Sequence, residues 1–191
     1  IIPNSGKITL PFNYFMCSIT VINFCKNNIS KDDIEKKNVL EIGSFNVNGS
    51  IRNYIEAFKP SKYVGIDIMN GPNVDMVLDA YDIVDKFGKN SFDFVICTEV
   101  VEHVKYWQKV FINIKQILKQ NGVLVLTTRS KNFPYHGYPY DYWRYEIGDM
   151  KDIFIDFNVL NLCNDTSMPG VLVKAQKPKN YKLKEFDHIH L

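Results

Sequence analysis

The chain has 191 residues, 46% of them hydrophobic and 14% aromatic, with a formal net charge of +2. That length and apolar content suit one ordinary domain with a sizeable core and exclude a largely disordered chain. So small a charge gives no reason to expect a nucleic-acid polyanion as the main partner, although lysines crowd towards the C-terminus.

The uncharged stretch "FNYFMCSITVINFC" is fourteen residues long, short of the roughly 20 that a membrane span needs, and is expected to be a core or interfacial helix. With the connector "KDDIEKKN" it belongs to an N-terminal segment, 1–37, ahead of a main domain, 38–177, and a solvated tail, 178–191. The chain starts at Ile1 rather than Met, which leaves a removed targeting peptide as an open reading. The four cysteines, Cys17, Cys25, Cys97 and Cys163, form no pair of metal or redox spacing and fit a reducing, cytoplasmic setting.

In "NVLEIG" three apolar residues surround Glu41, which reads as a buried strand ending at Gly43. The loop that follows, Ser44 to Ser50, leads into "SIRNYIEAF", where Ile51, Tyr54, Ile55 and Phe58 share a helical face, Ser50 can cap and Pro60 stands beyond the end. A strand-to-helix turn of this kind offers free backbone N–H groups and close approach, as nucleotide-type sites require. "KYVGIDI", "VDMVL", "FDFVICTE" and "GVLVLTT" read as the next four strands. "KYWQKVFINIKQILKQ" reads as a helix with Trp107, Val110, Phe111, Ile114, Ile117 and Leu118 on one face, stopped by Asn121-Gly122. The alternation implies a mostly parallel sheet wound on both faces. "FNVLNLC" and "GVLVKAQ" are separated only by "NDTSMPG", too short for a parallel crossover, so they are expected to pair as an antiparallel hairpin. The expected fold is therefore α/β, a Rossmann-like doubly wound seven-stranded sheet with six parallel strands and an antiparallel last strand.

Three carboxylates stand at strand ends: Glu41 before Gly43, Asp67 closing "YVGID" and Asp79 in "LDA". In an open parallel sheet the carboxyl ends of the first three strands are neighbours, so these acids converge on one crevice. Asp67 can accept both hydroxyls of a ribose, Asp79 an exocyclic amine, and Glu41 can orient the turn or a ligand ammonium. A dinucleotide dehydrogenase shares the Gly-containing turn and the acid after the second strand. Against that reading, Glu41 would stand near the pyrophosphate, and the closing hairpin has no place in the usual dinucleotide order.

In this order and at these distances, "VLEIGSFNVNG", "YVGIDI", "LDA" and "FDFVICTEVVEHV" resemble the class I S-adenosylmethionine-dependent methyltransferases of the type 11 group, over roughly Asn38 to Lys177. The resemblance implies S-adenosyl-L-methionine as cofactor, held by Glu41, Gly43, Ser44, Gly49, Asp67, Ile68, Asp79, Ala80 and Glu99. It also implies an enzyme that methylates an oxygen or nitrogen of a small or medium-sized acceptor; the alternatives are a binding or scaffold protein that kept the fold without turnover, and an NAD-dependent oxidoreductase. One departure stands out. The family commonly reads acid-x-Gly-x-Gly-x-Gly, but Phe45 and Val47 occupy the second and third glycine positions and Gly49 comes two residues late. A longer loop, turning at "NVNG", is expected.

Some relatives of this fold hold magnesium with a set such as Glu99, Glu102 and His103. Two carboxylates suit a hard cation, whereas an imidazole is an unusual third ligand for it, and the reading preferred here has Glu99 bordering the cofactor while Glu102 and His103 organise the turn. After the fifth strand, "NFPYHGYPYDYWRYE" packs five Tyr, one Trp, His136, Asp141 and Arg144 into fifteen residues. Its place at the crevice mouth suggests a lid that meets the acceptor through Tyr138, Tyr142, Trp143 and Arg144. His136 is the candidate catalytic base, with an ordinary pKa of about 6.5.

Overall fold

The computed structural model describes residues 19–47, 49–137, 139–184, 189 and 191. Its seven strands are β1 (Asn38–Ile42), β2 (Lys62–Asp67), β3 (Met76–Val77), β4 (Phe92–Thr98), β5 (Leu118–Arg129), β6 (Asn158–Asn164) and β7 (Gly170–Gln176). They form one sheet in the order β3-β2-β1-β4-β5-β7-β6. β7 runs antiparallel to both β5 and β6, and every other neighbouring pair is parallel. Six strands therefore share one direction and one is reversed, as the short "NDTSMPG" connection requires.

The central strands are covered on both faces, which is why β1 and β4 read as nearly unbroken apolar runs. Among the described residues six α-helices accompany the sheet: α1 (Ile19–Asn28), α2 (Lys31–Ile34), α3 (Arg52–Glu56), α4 (Ile83–Phe87), α5 (Trp107–Ile117) and α6 (Ile147–Ile153). On one face α5 buries Trp107, Val110, Phe111, Ile114 and Ile117 in a core with Val95, Cys97, Leu124 and Leu126. On the other, α1 and α3 bury Val21, Phe24, Cys25 and Ile55 against Phe94, Ile96 and Val125. Residues 12–18 of the expected N-terminal helix, Cys17 among them, lie outside the described residues.

Two helices end earlier than their periodicity suggests. α3 spans only Arg52–Glu56, and Ser50 serves its start as a local turn, its Oγ accepting from the Arg52 N–H at 3.0 Å. α5 stops at Ile117 rather than continuing to Asn121-Gly122, and the chain passes directly into β5. Tertiary partners end it. The N–H groups of Asn90 and Ser91 take the Gln116 and Ile117 carbonyls, and Lys177 Nζ donates to the carbonyls of Lys115 and Leu118. Leu118 already pairs with Phe92, after which a register shift and the left-handed backbone of Asn121 bring the strand into line.

One buried ion pair ties α5 to the chain beyond α6. Lys115 Nζ lies 2.7 Å from Asp156 Oδ1, and both side chains are almost wholly shielded from water. Among the described residues no helix is long and apolar enough to cross a membrane.

Candidate active site

The crevice opens at the carboxyl ends of β1, β2, β3 and β4 and takes up about 1180 Å³ including its mouth. The loop after β1 forms its floor. Gly43 and Ser44 both donate their N–H groups to the Ile66 carbonyl at 2.9 Å, which folds the chain sharply over the end of β2. Gly43 sits at φ +77°, and a Cβ there would lie 2.2 Å from Val100 Cγ2, so this turn needs glycine both for its backbone and for its contact with the exit of β4. The Phe45 departure from the glycine pattern has a compensation further along. The Phe45 ring packs on Gly71, where any Cβ would come within 2.1 Å of it. Gly49, with its own positive φ of +152°, returns the loop, its N–H donating to Asn46 Oδ1.

Asp67 closes β2 and holds two loops together. Its Oδ2 accepts from Phe45 N at 3.3 Å and its Oδ1 from Met69 N at 3.0 Å, which leaves lone pairs on both oxygens for a ligand in the crevice. Glu41 is 4% exposed and receives the Tyr63 hydroxyl on Oε2 at 2.6 Å. Burial pushes its carboxyl up to about 7, against the pull of Tyr63 and Arg52. Asp79 caps the 3₁₀ turn Ala80–Asp82 by accepting from Tyr81 N at 2.9 Å. Asn113 of α5 fixes that turn from beneath through the Ala80 and Tyr81 carbonyls.

Glu41, Gly43, Ser44, Gly49, Asp67, Ile68, Asp79, Ala80 and Glu99 all line this one cavity. The structure thus brings together all nine residues expected to meet the cofactor. It adds others that the sequence reading passed over: Ile22 and Cys25 of α1 form part of the wall, with Phe45, Met69 and Leu78. The apolar stripe of α1 held no cue to separate crevice-facing from core-facing positions.

At the far end of the crevice the chain leaves β4 through Glu99 in a left-handed backbone conformation, φ +57°. That kink turns its carboxylate towards β5. Thr127 Oγ1 donates to Oε1 at 2.7 Å, and the Arg129 guanidinium makes an ion pair with Oε2. Burial and the neighbouring Glu102 push the Glu99 carboxyl up, while Arg129 and Thr127 oppose them. Glu102 is fully buried in the 3₁₀ turn Val101–His103, with Oε2 accepting from Thr128 Oγ1 at 2.9 Å.

The aromatic segment 132–146 folds over this turn. Tyr142 and Trp143 donate their backbone N–H groups to the Glu102 carbonyl, and Trp143 Nε1 donates to the Val104 carbonyl at 2.8 Å. Arg144 is occupied within the segment: its two terminal nitrogens reach the Asp141 oxygens at 2.5 and 2.6 Å, and it also donates to the Phe133 and Pro134 carbonyls. His136 Nδ1 lies 2.9 Å from Asp141 Oδ2, and burial draws its pKa down to about 4. Of the residues expected to meet an acceptor, Tyr138 lies outside the described residues. Tyr142, Trp143 and Arg144 do not line the cavity, whereas Pro139, not among the expected residues, reaches its wall.

The profile of a methyltransferase-domain family matches residues 21–164, the span that carries β1 to β6 and with them the four strand ends that open the crevice. The chain belongs to that family. It is a class I S-adenosylmethionine-dependent methyltransferase. A search of curated proteins finds no match by sequence. Among solved structures, the methyltransferase is similar in fold to an S-adenosylmethionine-dependent methyltransferase from Mesorhizobium loti, with a TM-score of 0.65, 12% identity and coverage of 85% of this chain and 100% of that one. It is also similar to the Burkholderia thailandensis 1,6-didemethyltoxoflavin-N1-methyltransferase bound to 1,6-didemethyltoxoflavin and S-adenosylhomocysteine, with a TM-score of 0.61, 11% identity and coverage of 75% and 72%. The [4+2]-cyclase SpnF matches with a TM-score of 0.60, 13% identity and 76% of each chain. Identities this low establish a shared fold.

The crevice of the methyltransferase fits its cofactor on its own terms. Glu41, Asp67 and Asp79 line the cavity with carboxylates able to accept from hydroxyl, amine or cationic donors, and the buried Ser44 Oγ, which also lines it, has no hydrogen-bond partner among the described residues. The reversed β7 sets this sheet apart from the usual dinucleotide-binding order.

Proposed function

We propose that this methyltransferase methylates an oxygen or nitrogen of a small or medium-sized acceptor, admitted at the Glu99 end of the crevice beside the aromatic segment 132–146. The observation that carries this reading is the continuity of one cavity, from the acids at the ends of β1, β2 and β3 to Glu99, His103 and Pro139. A long ligand bound along the three acids would have its reactive end directed at the β4 exit, where the remaining space lies. S-adenosylmethionine, when bound, supplies a methyl group already activated by a sulfonium. The chain has to hold the sugar, fix the direction of approach and keep water out, and well-oriented partners can gain roughly 7–11 kcal/mol from such positioning.

Asp67 supports the binding role, because its two oxygens are held by loop N–H groups and still face the cavity. Phe45 and Gly71 keep the loop closed over it. Glu41 adds a carboxylate close to neutrality, which an incoming ammonium would ionise. His136 remains in the proposal as a group at the acceptor end, although a nitrogen drawn down to about 4 is a weak base at neutral pH. Titration calorimetry tests the cofactor half: S-adenosylhomocysteine should bind and NAD should not. Transfer of labelled methyl to small-molecule, glycan, protein and RNA fractions of a lysate tests the acceptor half. Label confined to protein or RNA would overturn the small-acceptor reading, and label in none of the fractions would favour a scaffold.

A further inference from the structure

Three side chains that the cofactor end does not use meet beside the acceptor space. Glu102 is fully buried, and while Oε2 receives the Thr128 hydroxyl, Oε1 has no hydrogen-bond partner among the described residues. His103 Nδ1 lies 2.6 Å from the Tyr140 carbonyl. A carbonyl only accepts, so Nδ1 carries the proton and Nε2 is left with a lone pair. That Nε2 is buried and likewise has no hydrogen-bond partner among the described residues. His136 Nδ1 faces Asp141 Oδ2, a carboxylate also gripped by Arg144, so it too donates, and its Nε2 points a lone pair towards Glu102 Oε1, 3.8 Å away. The two imidazole rings meet edge to face with centroids 4.7 Å apart.

Three electron-pair donors thus converge, an arrangement that a cation would relieve. One ligand atom from each of Glu102, His103 and His136 lies within 4.8 Å of the others. Donors about 2.1 Å from a shared ion stand about 3.4 Å apart, so closure by roughly 1.4 Å or less completes the set. The outer supports are already in place: the Tyr140 carbonyl behind His103, Asp141 behind His136 and Thr128 behind Glu102. Glu99 is excluded from the set, because Thr127 and Arg129 occupy its oxygens.

The geometry points to a divalent transition-metal site formed by Glu102, His103 and His136. Two imidazoles and one carboxylate suit zinc, cobalt, manganese or ferrous iron better than magnesium or calcium, which prefer oxygen donors throughout. Three protein ligands leave a coordination position open, and His103 lines the crevice, so the open side faces the acceptor. Resting on the methyl-transfer reading, the site would hold a hydroxyl-bearing acceptor and ease loss of its proton to water. The oxygen pair then bonds the methyl carbon as the carbon–sulfur bond breaks, and that bond's electrons stay on sulfur. In this role His136 is a metal ligand rather than a free base.

The test uses the full chain, stripped with chelator and dialysed against zinc, cobalt or manganese ions in turn. One equivalent of metal by elemental analysis, with visible absorption bands for cobalt, is the expected result. His136→Ala should remove the stoichiometric metal, and Asp141→Asn, which leaves all three ligands, should weaken it roughly tenfold to 100-fold, with S-adenosylhomocysteine affinity held within about threefold as the check on folding. Absence of stoichiometric metal in a chain that still binds S-adenosylhomocysteine overturns the site, as does metal uptake indifferent to both variants. Full methyl transfer by the stripped enzyme overturns the acceptor role. Metal bound without any binding of S-adenosylhomocysteine supports the site and instead sinks the cofactor reading.

Discussion

Replacing Asp67 by alanine removes the carboxylate that closes β2 at the middle of the crevice. Two sugar hydroxyls donating to a charged acceptor contribute roughly 1.5–3 kcal/mol each, about 3–6 kcal/mol together. Because tenfold in affinity corresponds to about 1.4 kcal/mol, the dissociation constant for S-adenosylhomocysteine should rise by about 10² to 10⁴. The structure argues for the lower half of that range. Asp67 already shares its oxygens with Phe45 N at 3.3 Å and Met69 N at 3.0 Å, and the water that replaces the carboxylate can restore part of both interactions. Asp67→Asn keeps one acceptor oxygen and should fall between wild type and Asp67→Ala. The measurement is isothermal titration calorimetry, with urea unfolding in parallel to show that the variants remain folded. A wild-type protein that binds S-adenosylhomocysteine, together with an Asp67→Ala variant whose affinity lies within about threefold of it, would refute the assignment of Asp67 to the sugar.

Gly43→Ala places a methyl group 2.2 Å from Val100 Cγ2 on a backbone at φ +77°, and should cost about 1–3 kcal/mol in urea unfolding and weaken S-adenosylhomocysteine binding as the loop is displaced. Lys115→Met strands the buried Asp156 carboxylate of a pair whose side chains are 0% and 1% exposed. A loss of about 3–5 kcal/mol is expected, with most of it recovered when Asp156→Leu is added; an unchanged midpoint for the single variant would count against a buried pair. Burial raises the folded-state carboxyl of Glu41 to about 7 from an ordinary 4.5, so its contribution to stability is present in full below pH 4.5 and is lost as pH rises through 7. Unfolding free energy should therefore decline between pH 5 and 8, less steeply in Glu41→Gln; parallel slopes in urea titrations at several pH values would contradict the shift.

Much of the fold was legible because its signals are local. Apolar runs with turn residues between them mark strands wherever they end up, and the seven-residue link "NDTSMPG" allowed nothing but a reversed final pair. Legibility failed at the end of α5. Its apolar stripe continues through Leu118, yet the Asn90 and Ser91 N–H groups and the Lys177 ammonium take the last carbonyls. Those partners come from the turn that leads into β4 and from the chain after β7, beyond the reach of periodicity. The Phe45 departure is a second case, since Gly71, more than twenty positions on, provides the space that glycine would otherwise have left in the loop.

The sequence by itself determined the alternation of strands and helices, and with it the meeting of Glu41, Asp67 and Asp79, because consecutive parallel strands must bring their carboxyl ends to one edge. The tertiary structure alone decided the arrangement at the exit of β4. Left-handed backbone at Glu99 sends its carboxylate to Thr127 and Arg129, and the segment after β5 brings His136, which is distant in sequence, to Glu102 and His103. Those choices depend on which distant groups satisfy each buried donor and acceptor, and no local pattern along the chain carries that information.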